Sequence, residues 1–377
     1  MTTSGKDQTT SAWHARQQPR AALTWRTSSR RPRLGPWLPR SVAALAAAMC
    51  SLALASAAGA SSSPHLDGAV SAPASRPLPI TSLGTPGGAP SMALGSDGRA
   101  SGRPAAFAAS RDGAIVLVSS TTGRVLRALT TRPPGTGDSQ PYLADSGRTV
   151  VFVRSTGTCS SSILAVRLRS GHTSVLVPRT TGVLSQPRLS PDGRRLAYQL
   201  NNCSAGRPAL MVRTLQTGAT HPIAMPYQGQ ANDYAFTPDG RRLITTVSFL
   251  TATNQVTYQV RSIPANARSA AAGRVLQGVP EAGCSAGSLT EIGRSGYVAV
   301  DQYCPATGKE TVLKVDSRTG RSAGRLALVP ASEVGLDGVD FDAAGRYLLL
   351  QGESGNVYTV NHATVTVIAT GFESATW

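Results

Sequence analysis

The chain has 377 residues, of which 37 are Lys or Arg and 20 are Asp or Glu, giving a formal net charge of +17 at pH 7. Aromatic residues make up only 5% of the chain, and no run of five or more basic residues occurs after residue 88. These features argue against a base-stacking platform and a contiguous basic tract. We therefore expect a solvated, arginine-rich surface and no nucleic-acid partner.

The N-terminal 60 residues have the organisation of an export signal or a membrane anchor. Residues 1–40 are polar and basic, which predicts a disordered cytoplasmic lead or an extended signal n-region. Residues 41–60 hold an uncharged Ala- and Leu-rich run, which fits a signal-peptide h-region or a single transmembrane helix. Small residues at its end favour a cleaved signal, whereas the long basic lead favours a retained anchor. Both interpretations stay open.

Residues 61–87 are rich in Ser, Pro, Gly and Ala, and this composition predicts a flexible linker. Whether the apolar run is cleaved or retained, the sequence that follows the linker is expected outside the cytoplasm. We therefore predict a secreted protein, or one anchored to the cell membrane by one N-terminal helix.

A turn signal recurs six times along the rest of the chain. Two of its best copies are Ser190-Pro-Asp-Gly-Arg-Arg-Leu-Ala197 and Thr237-Pro-Asp-Gly-Arg-Arg-Leu-Ile244. Pro presets φ, Asp bonds its own backbone, and Gly accepts a positive φ, so each copy predicts a tight turn between two strands. The turn glycines, spaced 46 to 53 residues apart, are Gly98, Gly147, Gly193, Gly240, Gly293 and Gly345.

A second set of turn glycines follows the first at a nearly constant offset of 24 to 27 residues, at Gly123, Gly171, Gly218 and Gly320. Each repeat therefore holds four short strands, which is the content of one propeller blade. We predict an all-β fold over 88–377: a six-bladed β-propeller of four-stranded antiparallel blades, preceded by one N-terminal hydrophobic helix and a disordered lead. The tail Gly371–Trp377 could add a strand to the first or the last blade, which leaves ring closure open.

The Pro-Asp-Gly-Arg repeat resembles that of TolB-type propellers, which are related to WD-repeat propellers. The resemblance rests on the copies quoted above, while those at Ser96–Gly102 and Glu291–Tyr297 are eroded. It implies a propeller that serves as a binding platform, as a periplasmic adaptor or as the propeller half of a peptidase. A shared fold does not imply a shared activity, so the motif says little about function.

Four cysteines occupy related positions in the repeats. Cys159, Cys203 and Cys304 lie 10 to 12 residues after the turn glycines of their repeats, and Cys284 lies nine residues before Gly293. These positions predict that all four lie on one face, opposite the Pro-Asp-Gly turns. We expect disulfides Cys284–Cys304, across the open end of one hairpin, and Cys159–Cys203, between loops of adjacent blades. A thiolate metal site is the weaker hypothesis, because no Cys-x-x-Cys spacing occurs.

The sequence offers no convincing catalytic set, metal site or cofactor site. Gly283-Cys-Ser285-Ala-Gly287 matches a nucleophile pattern, but that pattern needs a strand–turn–helix setting and later Asp and His partners. Only His362 follows it, so we interpret the match as chance. The acidic residues that could line a channel or bind a cation are Asp233, Asp301, Asp337 and Asp340. Structural capping is the preferred hypothesis for them.

These observations favour a binding or interaction module without catalytic activity, located outside the cytoplasm. We expect a monomer whose partner is a protein or an envelope polymer, with contact to the membrane through the N-terminal segment if that segment is not cleaved. The alternative is an extracytoplasmic hydrolase or lyase with a site in the central channel. An enzyme would need convergent acid, base or metal-ligating groups there.

Overall fold

The structure is a computed structural model that describes residues 103–144, 147–203, 206–333, 335–361 and 363–377. The predicted segments 1–40, 41–60 and 61–87 therefore lie outside the described residues, as does the turn glycine Gly98. The described chain forms six four-stranded antiparallel sheets, as the repeat predicts, and together they make a six-bladed β-propeller.

The blades follow one another along the chain. The first contains β1 (Ala106–Arg111), β2 (Ala114–Ser119) and β3 (Val125–Ala128). The second contains β4 (Gly137–Leu143), β5 (Thr149–Ser155), β6 (Ser160–Arg167) and β7 (Thr173–Thr181). The third contains β8 (Val183–Leu189), β9 (Arg195–Asn201), β10 (Ala209–Thr214) and β11 (Thr220–Ile223).

The remaining blades repeat this order. The fourth contains β12 (Gln230–Phe236), β13 (Arg242–Leu250), β14 (Val256–Pro264) and β15 (Arg274–Val275). The fifth contains β16 (Ser285–Glu291), β17 (Tyr297–Cys304), β18 (Lys309–Asp316) and β19 (Ser322–Leu328). The sixth contains β20 (Leu336–Phe341), β21 (Leu348–Gly352), β22 (Val357–Asn361) and β23 (Thr364–Ala369), and β24 (Ser374–Thr376) ends the chain.

The C-terminal strand closes the ring on the first blade. β24 pairs antiparallel with β1, with Ala108 opposite Thr376 and Ser110 opposite Ser374. The inner strand of the first blade therefore comes from the other end of the chain, and this blade has no turn between its inner and second strands. Closure of this kind covers an edge that would otherwise expose unpaired backbone groups.

Burial explains why the strand sequences differ within a blade. Second strands lie between neighbouring blades and are apolar on both faces: β21 is buried at every position, and Val150 to Val153 are buried in β5. Outer strands face solvent, and all four residues of β3 are exposed. The gradient from apolar run to polar strand follows from sheets packed face to face around an axis.

The hydrophobic core is divided among the junctions between blades. One cluster joins Val153 and Tyr142 of the second blade to Leu184 and Tyr198 of the third. Corresponding clusters lie at the other five junctions, including the one across the closure between the sixth and first blades. Because neighbouring blades share their core, no blade buries its own faces alone.

The predicted turns define two faces of the propeller. The glycines between inner and second strands all have positive φ: Gly147 (62°), Gly193 (67°), Gly240 (66°), Gly293 (51°) and Gly345 (67°). We call the face that holds these turns the turn face. The opposite face, where second strands connect to third strands, holds the four cysteines and is called the cysteine face. Each inner strand runs from the cysteine face to the turn face.

The described residues contain little helix. Two 3-10 turns, Pro226–Gln228 and Ala270–Ala272, are the helical segments in this part of the chain. Accordingly, no described helix is long and apolar enough to cross a membrane.

Candidate functional site

The central channel is a candidate site, because the inner strands of all six blades meet there. Five inner strands have an irregular register against their second strands, which is typical of β-bulges. In β4 and β8 the irregularity coincides with positive φ at Gln140 (51°) and Gln186 (50°). A bulge redirects side chains out of the regular alternation, and in this channel it turns amide groups toward the neighbouring blade.

These amides form a chain of hydrogen bonds between successive inner strands. The Gln186 backbone N–H donates to Oε1 of Gln140 at 2.6 Å, and Gln186 Nε2 donates to the Asn232 carbonyl at 2.9 Å. Asn232 Nδ2 continues the chain by donating to the Ala286 carbonyl at 3.2 Å. This series of hydrogen bonds therefore connects four neighbouring blades. It also occupies polar groups that could otherwise face a ligand.

Arg188 occupies the channel near the turn face. Its Nη2 lies 3.4 Å from Oδ1 of Asp233, and its guanidinium carbon lies 5.1 Å from the ring centroid of Tyr142. Asp233 also accepts hydrogen bonds from the backbone N–H groups of Tyr234 at 2.8 Å and Leu289 at 2.9 Å. One partly buried ion pair thus connects inner strands from four blades.

Asp340 binds the C-terminal segment that closes the ring. Its Oδ1 accepts hydrogen bonds from Thr290 Oγ1 at 3.2 Å and from the Phe341 N–H at 2.9 Å. Its Oδ2 accepts hydrogen bonds from Thr376 Oγ1 and from the Trp377 N–H, the latter at 3.0 Å. Asp340 therefore fixes the C-terminal strand to the inner strands of the fifth and sixth blades.

The electrostatics agree with a structural role for these groups. Burial alone would lower the pKa of Arg188, but Asp233, Tyr142 and Asp340 outweigh it and raise the pKa above its usual value. Burial raises the pKa of Asp233 and of Asp340, and hydrogen bonds and Arg188 offset part of this effect. A cavity of about 20 Å³ remains beside Tyr142 and Asp340, which is room for about one water molecule.

A second acidic region lies on the cysteine face, between the fifth and sixth blades. We call it the carboxyl corner; its members are Asp301, Glu310, Glu333, Asp337 and Glu353. Asp301 lies opposite Val312 in the β17–β18 ladder, so Glu310, two residues away, is its diagonal neighbour on the same face. A Cβ at Gly287 would lie 3.0 Å from Asp301 Oδ2, so this carboxyl group packs against the inner strand.

The carboxyl corner has no ion-pair partner in the part of the chain that the structure describes. Asp301 is 4% exposed, and its Oδ1 has no hydrogen-bond partner in the described residues. Burial raises the pKa of Asp301 well above its usual value, and the charge of Glu310 adds to this effect. Burial also raises the pKa of Asp337, with a further contribution from Glu353 and Glu333.

Both predicted disulfides are present on the cysteine face. Cys159 and Cys203 join the second and third blades with a Cα–Cα distance of 6.0 Å. Cys284 and Cys304 join β16 to β17 with a Cα–Cα distance of 4.3 Å, next to the paired residues Ser285 and Tyr303. Glu281 lies close to the second pair. Sulfurs in a disulfide are not thiolates, so this group does not offer thiolate ligands to a metal.

The nucleophile-like pattern does not lie in a catalytic setting. Ser285 is the first residue of β16, in a hairpin rather than a strand–turn–helix elbow, and its Oγ donates to the Tyr303 carbonyl at 3.3 Å. His172 is exposed and His221 lies on β11, an outer strand, while His362 lies outside the described residues. No described histidine lies on an inner strand to act as its base.

The sequence-predicted acids thus separate into two groups. Asp233 and Asp340 lie on inner strands and are saturated by donors, whereas Asp301 lies on a second strand and Asp337 at the start of an inner one. Sequence reasoning missed Arg188 and Glu310. Arg188 is the next-to-last residue of β8, and Tyr142 takes the same position in β4. This shared position in the repeat was the signal available for Arg188.

Comparisons with known proteins found similar solved structures but no match to a protein-family model or to a curated protein. Similar solved structures include an oligogalacturonate lyase in complex with manganese, at 14% identity and a TM-score of 0.47, covering 68% of this chain and 70% of that one. A nidogen/laminin complex matches at 11% identity and a TM-score of 0.47, covering 72% of this chain and 97% of that one.

A Mycobacterium tuberculosis puromycin-hydrolyzing peptidase matches at 15% identity and a TM-score of 0.47, covering 71% of this chain and 43% of that one. The chain therefore spans less than half the length of this peptidase. Likenesses of this degree say nothing about activity, and the description of the chain as a six-bladed propeller rests on its own sheets.

Proposed function

We propose that this chain is an extracytoplasmic propeller that binds a partner and has no catalytic activity. The observation that carries the proposal is the network of hydrogen bonds and one ion pair at the turn-face end of the channel. Arg188, Asp233 and Asp340 are all bonded to neighbouring inner strands there. An acid, base or nucleophile that is committed to structural bonds in this way is poorly placed to react with a substrate.

The disulfides support a location outside the cytoplasm. Two disulfides indicate a location outside the reducing cytoplasm. The apolar run in residues 41–60 supports export, either as a cleaved signal or as a retained anchor. We infer that the protein is secreted or tethered to the cell membrane, and that it belongs with TolB-type propellers on the strength of its Pro-Asp-Gly-Arg repeat.

The proposed partner is a protein or a polymer of the cell envelope. A pull-down from the native envelope with the tagged full chain tests this proposal, with a fusion to a C-terminal compartment reporter as the companion measurement. We expect one enriched partner that is lost when the propeller is unfolded by reduction and heat. Retention of the reporter in the cytoplasm would contradict the proposal, and so would turnover of a peptide or polysaccharide substrate by the pure protein.

The alternative is a hydrolase or lyase with a channel site, and the one observation that favours an enzyme lies outside the channel, on the second and third strands of the fifth blade. Asp301 and Glu310 are neighbouring carboxyl groups, and burial raises the pKa of both. Paired carboxyl groups with raised pKa values are typical of general acids. Asp301→Asn distinguishes the two functions, because it would abolish turnover in an enzyme of this kind and leave partner capture unchanged in a binding module.

A further inference from the structure

A groove of about 440 Å³ lies on the turn face between the fourth and fifth blades. The turn at Thr237 and Asp239 forms one wall, and the segments Arg294 to Tyr297 and Asp316 to Arg318 form the other. The volume falls within the range of about 300–1,000 Å³ that is typical of pockets for small ligands. The groove differs from the network around Arg188 and Asp233, because most of its arginine side chains form no structural hydrogen bond or ion pair in the described residues.

Four arginines from separate strands and turns line the groove: Arg242, Arg274, Arg294 and Arg318. Arg242 is held in position by hydrogen bonds from Nε to Ser262 Oγ at 2.7 Å and from Nη2 to the Ser262 carbonyl at 2.8 Å. The other three are exposed. Among the described residues, none of the four forms an ion pair with a carboxylate.

The two aspartates in the lining are engaged by their own turns. Asp239 Oδ1 accepts hydrogen bonds from Thr237 Oγ1 at 2.6 Å and from the Arg241 N–H at 3.0 Å. Asp316 Oδ1 accepts hydrogen bonds from the N–H groups of Arg318 at 2.9 Å and Thr319 at 2.7 Å. Four arginines against two aspartates leave the lining with a net charge of +2.

We propose that this groove binds the phosphate group of an anionic ligand. A phosphate monoester carries about −1.5 to −2 charges at pH 7, which matches the uncompensated charge of the lining. Its three acceptor oxygens can engage several guanidinium groups at once, and the planar fork of arginine suits phosphate geometry. The inference deepens the proposed binding function by naming a ligand class, and it rests on that function only for its biological context.

Isothermal titration calorimetry of the full chain with inorganic pyrophosphate at low ionic strength tests the groove. We expect binding by the wild type, weakened about tenfold or more in the double variant Arg274→Gln/Arg318→Gln, because hydrogen bonds to charged groups are lost. The matched control is Arg148→Gln/Arg194→Gln, which removes the same charge from exposed turn positions outside the groove. This control should stay within about twofold of the wild type, since only long-range attraction changes.

Two sources could supply the phosphate, and vesicles distinguish them. Co-sedimentation with vesicles that contain phosphatidic acid, whose headgroup is a phosphate monoester, identifies a lipid headgroup if the groove variant loses it and the control variant keeps it. Pyrophosphate binding without co-sedimentation identifies a soluble phosphate ligand. Absence of both kinds of binding overturns the inference, as do equal losses in the two double variants, which indicate general charge attraction. Capture of an envelope partner by the groove variant would leave the proposed binding function standing while the groove inference fails.

Discussion

The network around Asp233 and the carboxyl corner differ in the charge that faces a buried aspartate. At the turn-face end, Asp233 faces Arg188 and accepts two backbone hydrogen bonds, so its charge is compensated. In the carboxyl corner, Asp301 faces Glu310, and no described cation forms an ion pair with either group. Burial is almost the same, with Asp233 5% exposed and Asp301 4% exposed. Burial raises the pKa of both aspartates, and the partner decides the difference: Arg188 offsets part of the rise at Asp233, whereas Glu310 adds to the rise at Asp301.

The difference has consequences for stability. A buried charge with its partner stabilises only as a unit, so removing one member leaves the other uncompensated. A buried carboxyl group beside a like charge destabilises when it ionises, so removing its charge should help the fold. Removal of the aspartate charge is therefore expected to lower the free energy of unfolding at Asp233 and to raise it at Asp301.

The largest effect is expected from Asp233→Ala. The substitution leaves the partly buried Arg188 without its counter-charge and removes the acceptor for the N–H groups of Tyr234 and Leu289. We expect a loss of about 3–5 kcal/mol in the free energy of unfolding, because the cost of the unpaired charge adds to the cost of two N–H groups without a partner. Urea denaturation followed by circular dichroism measures it. Asp112→Asn is the control, because the side chain is 91% exposed and asparagine also tolerates the positive φ of 52° at this turn, so a change within about 0.5 kcal/mol is expected.

A loss below about 1 kcal/mol for Asp233→Ala would mean that the network does not depend on the ion pair. The double variant Arg188→Met/Asp233→Leu separates charge from packing. Replacing both partners by apolar groups should recover the part of the lost stability that comes from the uncompensated charge, but not the part that comes from the Leu289 N–H left without an acceptor.

The cysteine face relies on covalent bonds, and their removal should give the next largest effects. The disulfide Cys159–Cys203 closes a longer stretch of chain, 44 residues, than Cys284–Cys304, which closes 20. In the chain-entropy model these loops correspond to about 4 and about 3 kcal/mol respectively. Serine pairs at each disulfide, compared by thermal and urea unfolding, measure the two contributions.

Thiol counting by mass spectrometry on non-reduced protein accompanies this experiment. Four free thiols at Cys159, Cys203, Cys284 and Cys304 in protein exported from the native host would contradict the disulfide assignment. A smaller loss for Cys159→Ser/Cys203→Ser than for the other serine pair would contradict the loop-length argument and indicate residual contacts in the unfolded chain.

Asp301→Asn should stabilise the protein at neutral pH, by about 1 kcal/mol, the usual size of a beneficial single substitution. Burial and Glu310 raise the pKa of Asp301 in the folded state, so the folded protein holds a proton that the unfolded chain releases. Stability in the wild type therefore falls as the pH rises above the ordinary value of 3.8 and through the folded pKa. Unfolding curves across pH should show a flatter dependence in the variant.

Asp239→Asn is the control of opposite sign. Hydrogen bonds from Thr237 and Arg241 lower the pKa of Asp239, so its contribution is present above the unfolded pKa and is lost as the pH falls through the folded one. The variant should lose stability at neutral pH and converge with the wild type in acid. Destabilisation by Asp301→Asn at pH values near neutrality would show that the ionised carboxylate has a partner there.

Local turn chemistry explains why so much of the fold could be predicted from the sequence. Pro-Asp-Gly needs a turn wherever it occurs, so copies such as those ending at Arg194 and Arg241 mark equivalent places in successive blades. The cysteine positions followed from the same repeat, because an offset from a turn fixes a face. Ring closure could not be predicted, since the strand Ser374–Thr376 carries no repeat signal and pairs with residues more than 260 positions away.

The candidate sites were harder to predict because they depend on contacts between blades. Arg188 follows a bulge and reaches Asp233 on the next blade, although its own sequence context differs little from that of other arginines in the repeat. The groove arginines Arg274 and Arg318 belong to different blades, so their proximity is visible only in the folded structure. A motif can also mislead, as the Gly-x-Ser-x-Gly pattern at Ser285 shows.

Ser285→Ala should have the smallest effect of these substitutions. The hydroxyl makes one long hydrogen bond, 3.3 Å to the Tyr303 carbonyl, at a position that is partly exposed beside the disulfide Cys284–Cys304. Loss of such a bond should change the free energy of unfolding by about 0.5 kcal/mol or less, because water can replace the partner. Esterase and peptidase assays on exported wild-type protein and variant should both read background. A turnover activity that disappears in Ser285→Ala while the unfolding curve stays intact would make this serine a nucleophile, and the propeller an enzyme.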